Sequence, residues 1–229
     1  IDLREEIKNP TFQLVKRGDL SFDEFIWTNK LDFTRKIVKE PNLSIFYDEL
    51  LFRFPDAKFV FVVRDPRDNI RSILNRLKVP GNLETLKKED FPEISQAWSL
   101  VLEGMWLGLQ GDNYIEFLAN RWNYLIEIYL ENQNNIALIR YEDFRKNKLK
   151  ALKKLALELN LTADNDIAQW LNYQFQPKGA HNISWHDFFG SNLGKIELLC
   201  AAKMKKLGYS TDSSNEHSSQ IIPQPKSIL

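Results

Sequence analysis

Apolar residues follow two rhythms along this chain, and the change from one to the other marks its elements. Phe59 to Val63 is an unbroken apolar run of strand length, bounded by Lys58 and Arg64. Such a run predicts a buried strand. Ile136 to Ile139 is a second run, followed directly by "RYEDF". After the first run the rhythm turns helical: Ile70, Ile73, Leu74 and Leu77 fall on one face. Asp65 offers that helix a cap, Pro66 suits its first turn, and Pro80–Gly81 supplies a stop. Two helical stretches follow, Trp98 to Leu109 and Tyr114 to Tyr129. Leu149, Leu152, Leu155, Ala156 and Leu159 mark another helix. Ile196, Leu199, Cys200 and Leu207 mark the last, closed by Gly208.

The remaining segments carry weaker signals. Lys36 to Glu40, "KIVKE", is a short strand candidate stopped by Pro41 and Asn42, and Ser44 to Phe54 reads as a short helix. Residues 1–35 read as short helices and loops, and 82–96 as polar and irregular. From Ser210 onward the chain is rich in Ser, Asn, Gln and Pro, which predicts a disordered tail over 210–229. Strands alternating with helices predict an α/β fold with an open, mostly parallel sheet. Its ligand belongs beyond the carboxyl ends of the strands, where both strong strands run into charge.

Composition narrows the classes. The 229 residues are 43% hydrophobic and 12% aromatic, ordinary for a globular protein. Lys+Arg and Asp+Glu are 31 each, so no global positive field is available for nucleic acid, and any anion site must be local. No apolar run approaches a membrane span, and no signal peptide is recognisable. The single cysteine, Cys200, excludes an intrachain disulfide and permits a reducing compartment. A cytoplasmic location is expected. Cys200 lies in an apolar helical stretch and reads as a core thiol.

Arg64 carries the first chemical signal. A guanidinium at the end of a buried strand is costly unless paired, and its planar fork suits a phosphate. Its residue type leaves two roles open, an ion pair with Asp65 or an anion site. Ser72 lies about two turns into the following helix, opposite the apolar face, where its hydroxyl is either solvated or joins Arg64 around one phosphate. Arg67, Arg71 and Arg76 read as a solvated helix face. "GSNLGK", Gly190 to Lys195, departs from a nucleotide phosphate loop in spacing and in the residue after Lys195. His181, His186 and His217 have no metal-site spacing, and no metal is expected.

At these residues a family resemblance emerges. "KFVFVVRDPRDNIRS" resembles the segment of sulfotransferases that binds the 3′-phosphate of 3′-phosphoadenosine 5′-phosphosulfate (PAPS), with Arg64 and Ser72 at matching positions. "IALIRYEDF" is similar to a second signature, whose tyrosine near the adenine corresponds to Tyr141. "QPKGAHNISW" resembles the late Arg-Lys-Gly loop: Lys178 and Gly179 match, while Gln176–Pro177 departs from the arginine. "VKEPN" is similar to a Lys-x-Pro strand end that places Lys39 beside the transferred sulfonate. "CAAKMKKLGY" is similar to the closing helix. The resemblance implies a three-layer α/β/α fold of the P-loop NTPase type over residues 1–209. It implies PAPS as sulfonyl donor and a small-molecule, carbohydrate or peptide acceptor, without nucleic acid or metal. Glu40 is the candidate base, against a reading as a solvated strand-end carboxylate; Glu5 and Glu6 are alternatives. The family's Pro-Lys-Ser-Gly-Thr-Thr loop has no counterpart before Lys36, so the fold is expected to be N-terminally incomplete, with poor stability and little activity. Two other function classes compete: a P-loop kinase-like enzyme, and a non-catalytic domain that kept the fold. Oligomeric state has no signal in the sequence.

Overall fold

The computed structural model describes residues 11–86, 94–162, 165–172 and 183–212. Three short helices open it: α1 (Phe12–Arg17), α2 (Phe22–Thr28) and α3 (Lys30–Phe33). A 3-10 segment over Pro41–Phe46 leads into α4 (Tyr47–Arg53). Next come β1 (Phe59–Val63), α5 (Pro66–Leu77), α6 (Gln96–Glu103) and α7 (Tyr114–Glu131). Then follow β2 (Ile136–Arg140), α8 (Tyr141–Lys146), α9 (Lys148–Glu158), α10 (Trp185–Phe189) and α11 (Asn192–Lys206). β1 and β2 pair in a small parallel sheet. The protein is therefore mixed α/β. No helix among the described residues is long and apolar enough to cross a membrane.

Local chemistry explains several boundaries. Ser21 and Glu24 form a reciprocal capping box at α2. Asn113 caps α7 by accepting from the Glu116 N–H at 3.0 Å. Asp65 caps α5, with Pro66 in the first turn where no N–H is needed. Lys78 ends α5 in the left-handed conformation, φ 57°, before Pro80 is reached.

The chain forms two compact units, and the division falls inside both strands. The first comprises residues 1–61 and 85–137. Its core is aromatic: Phe12, Phe25 and Phe46 are buried, with the Phe12 and Phe25 ring centroids 5.3 Å apart. Such ring pairs add about 0.5–1.5 kcal/mol to simple burial. The second unit comprises 62–84 and 138–229. Here α5 packs on α11, and Ile70, Leu74, Ile196, Cys200 and Met204 of these helices are each fully buried. The buried Cys200 is the core thiol its setting predicted.

The structure corrects four expectations. Lys36–Glu40 is irregular, not a strand. Ile37 and Val38 are exposed, and no described segment pairs with their backbone groups, which a strand requires. β1 is not buried throughout: Val60 is 40% and Val62 60% exposed while Val63 is 2% exposed, the alternation of a strand covered by the described residues on one face. The Ser44–Phe54 helix begins with a 3-10 turn entered through Pro41. Arg67 and Arg71, read as solvated, are buried at 1% and 3% exposure, whereas Arg76 is exposed.

Candidate functional site

In the second unit the end of β1 and the end of β2 place their charged residues together. Arg64 leaves β1 with its side chain only 15% exposed. Its guanidinium carbon lies 4.9 Å from the centre of the Tyr141 ring, at the start of α8, within cation–π range. Asp68, one turn into α5, faces it with Oδ2 at 3.5 Å. That exceeds a usual charge-assisted hydrogen bond of about 2.7–2.9 Å. Asp65, the partner weighed from sequence, is engaged elsewhere. Ser72 lies on the exposed side of α5.

Asp65 is occupied by Arg67. The Arg67 guanidinium donates to Asp65 Oδ1 at 3.0 Å and Oδ2 at 2.7 Å, and its backbone N–H donates to Oδ1 at 2.9 Å. Arg67 also donates to Glu197 at 3.1 Å and to the Ser210 carbonyl at 2.8 Å, and stands 4.0 Å over the Trp185 ring. Burial works against its charge, but the hydrogen bonds and charges of Asp65 and Glu197 outweigh burial and raise its pKa. The Asp65 N–H in turn donates to Glu142 Oε1 at 2.9 Å, and Tyr209 donates its hydroxyl to Glu142 Oε2 at 2.9 Å. Burial, reinforced by Glu142, pushes the Tyr209 pKa up. The turn after β1 is thus fastened to the residue after Tyr141, to α11 through Glu197, and to Ser210 beyond that helix.

Asp68 has an equally specific setting. Its Oδ1 accepts from Arg71 at 2.5 Å and from the Trp185 indole N–H at 2.9 Å. Arg71 reaches on to the Ile183 carbonyl at 2.8 Å. Burial alone would push the Asp68 carboxyl up. The charges of Arg64 and Arg71 and the Trp185 and Arg71 hydrogen bonds outweigh burial, holding it below the usual aspartate range.

Lys39 and Glu40 belong to the first unit. Lys39 lies in the irregular segment that replaces the expected strand. Glu40 is no solvated strand end: its Oε1 caps the Pro41–Phe46 turn, accepting from both the N–H and the Nδ2 of Asn42 at 2.9 Å. Asn42 Oδ1 accepts from Arg121 at 2.6 Å. Burial lowers the Arg121 pKa to about 10, against the opposing influence of Glu40.

Lys178, Gly179, Glu5 and Glu6 lie outside the described residues, as does the tail beyond Asp212. Of the residues expected from sequence, the structure brings Arg64 and Tyr141 together and leaves Ser72 on the exposed side of α5, and it adds Asp68 and Glu142, which sequence reasoning did not single out. Spacing offered one signal: Asp68 falls four residues after Arg64 and three before Arg71, the intervals at which helical side chains meet.

A search of curated proteins found no match to the chain, and a search of solved structures found none. The family model described as "Sulfotransferase domain" matches residues 35–193, a stretch that contains Lys39, Glu40, the Arg64 segment and Tyr141. That match spans well over half of the 229 residues, and the chain belongs to the sulfotransferase domain family.

Proposed function

We propose that the protein transfers a sulfonyl group from PAPS to a hydroxyl or amine of a small-molecule, carbohydrate or peptide acceptor. One observation carries this reading. Arg64, at the carboxyl end of β1, is held between a carboxylate and the face of Tyr141, the residue that follows β2. A cation beside an aromatic ring at the carboxyl end of a parallel sheet suits a nucleotide bearing a phosphate on its ribose. A 3′-phosphate oxygen would meet the Arg64 guanidinium beside Asp68 Oδ2, which lies 3.5 Å from it.

In this reading Arg64 and Ser72 hold the 3′-phosphate and Tyr141 lines the adenine. Lys178 and Gly179 belong to the same role by family resemblance. Lys39 neutralises charge that develops as the bond from sulfur to the 5′-phosphate oxygen breaks and the bond to the acceptor forms. Adenosine 3′,5′-bisphosphate leaves, and the acceptor proton passes to Glu40. The reaction is governed by position and charge, as phosphoryl transfer is, and needs no metal. The reading includes the three-layer α/β/α arrangement of P-loop NTPases for the family fold. The family match favours this enzyme class over a kinase-like one.

Calorimetry with adenosine 3′,5′-bisphosphate tests the binding half. Arg64→Ala should weaken affinity about 10–100-fold, the loss of a charge-assisted contact. If the protein does not bind the bisphosphate, or Arg64→Ala leaves binding unchanged, the assignment fails. For the chemical half, Glu40→Gln should slow sulfonyl transfer by about a hundredfold or more with bisphosphate affinity retained.

A further inference from the structure

We propose that Asp68 is a positioning residue of this site, fixing the direction of the Arg64 guanidinium so that it meets a 3′-phosphate. The inference rests on the PAPS reading and adds to it a residue that does not touch the donor.

Two carboxylates lie close to Arg64 in sequence, and they have separate tasks. Asp65 is taken up by three donors of Arg67. Asp68 is the carboxylate that faces Arg64. Its own orientation is fixed from the other side: Arg71 and the Trp185 indole both donate to Oδ1, which turns Oδ2 toward Arg64. Arg71 is held by the Ile183 carbonyl. A flexible arginine has about 2 kcal/mol of rotamer entropy to lose when a ligand immobilises it. A carboxylate locked by two donors removes part of that freedom before the ligand arrives, which is preorganisation.

Simple charge compensation predicts the opposite outcome on mutation. If Asp68 only cancelled the charge of Arg64, its removal would strengthen the local positive field and tighten phosphate binding. If Asp68 positions Arg64, its removal weakens recognition of the 3′-phosphate even though the field becomes more positive. The sign of one measurement separates the two.

The measurement is calorimetry of the full 229-residue chain with adenosine 3′,5′-bisphosphate and with adenosine 5′-monophosphate. The ratio of the two affinities isolates the 3′-phosphate contribution and is not moved by a general loss of folded protein. In the wild type the ratio should favour the bisphosphate, and Arg64→Ala should collapse it. Asp68→Asn should lower it about tenfold with 5′-monophosphate affinity retained. An unchanged or larger ratio in Asp68→Asn, with Arg64→Ala still collapsing it, overturns the inference and leaves the PAPS reading standing. A wild type with no preference for the bisphosphate overturns both. Where circular dichroism shows Asp68→Asn unfolded, Trp185→Phe takes its place. It keeps a ring beneath Arg67 and removes the indole donor to Asp68; the ratio should fall about threefold, and no change overturns the inference.

Discussion

Arg67 offers the sharpest test of how the turn after β1 is held. Its side chain is 2% exposed and meets Asp65, which is 10% exposed, through two guanidinium hydrogen bonds. Arg67→Ala removes those donors and leaves a buried carboxylate whose cationic partner is gone. Losing one partner of a buried ion pair costs about 3–5 kcal/mol. Glu197, at 23% exposure, can regain water, so the cost concentrates on Asp65. A loss of this size approaches the whole stability of an ordinary domain, about 5–15 kcal/mol. Urea unfolding followed by both tryptophan fluorescence and far-UV circular dichroism measures it, since coincident transitions license a free energy. Arg76→Ala, at an exposed position of the same helix, should stay within about 0.5 kcal/mol of wild type. The double variant Asp65→Asn with Arg67→Met should recover much of the loss, because the stranded charge is removed too. A loss below about 1 kcal/mol for Arg67→Ala would refute the view that the buried pair fastens this turn.

Asp68 gives the protein an acid-sensitive element. Its folded pKa lies below the ordinary 3.8, so its stabilisation is present above that value and drains away as pH falls through the lowered one. Urea midpoints of the wild type should drop across this acid window more steeply than those of Asp68→Asn. Cys200 acts at the other end of the scale: burial, with the nearby Asp65 charge, pushes its thiol up to about 12. It should resist a thiol reagent until urea unfolds the chain, and stability should fall as pH rises from about 9 toward 12, where the unfolded thiol ionises and the folded one does not. Asn192 donates to the carbonyls of Gly81 and Leu83 at 2.9 Å each, so Asn192→Ala should cost about 1–3 kcal/mol in the same urea assay.

The elements that could be read from sequence are those specified by their own residues. Phe59–Val63 emerged with the bounds expected of it, and the cap of α5 by Asp65 needs only that side chain and a backbone N–H two residues on. Lys36–Glu40 could not be read in this way, because strand formation depends on a neighbour that the segment itself does not specify. The exposure of Val60 and Val62 has the same origin. An apolar run states that two faces can be buried, and packing from elsewhere decides whether both are.

The arginines show why the site was only half legible. Arg67, Ile70, Arg71 and Leu74 lie at i, i+3, i+4 and i+7, so all four occupy one stripe of α5. The helical spacing turns Ile70 and Leu74 inward, and Arg67 and Arg71, on the same stripe, face inward with them. Treating charge as a mark of solvent broke that stripe. A buried arginine is tolerated only where acceptors surround it, and those acceptors come from Asp65, Asp68, Ile183, Glu197 and Ser210, scattered along the chain. The helical register held the signal that Arg67 and Arg71 point inward, and only the fold could supply what they meet. The same logic separates the three arginines by role. Arg67 ties the turn after β1 to Asp65, Glu197 and Ser210, Arg71 holds Asp68 and the Ile183 carbonyl, and Arg64, which follows the strand and precedes the stripe, lies against Asp68 and the ring of Tyr141.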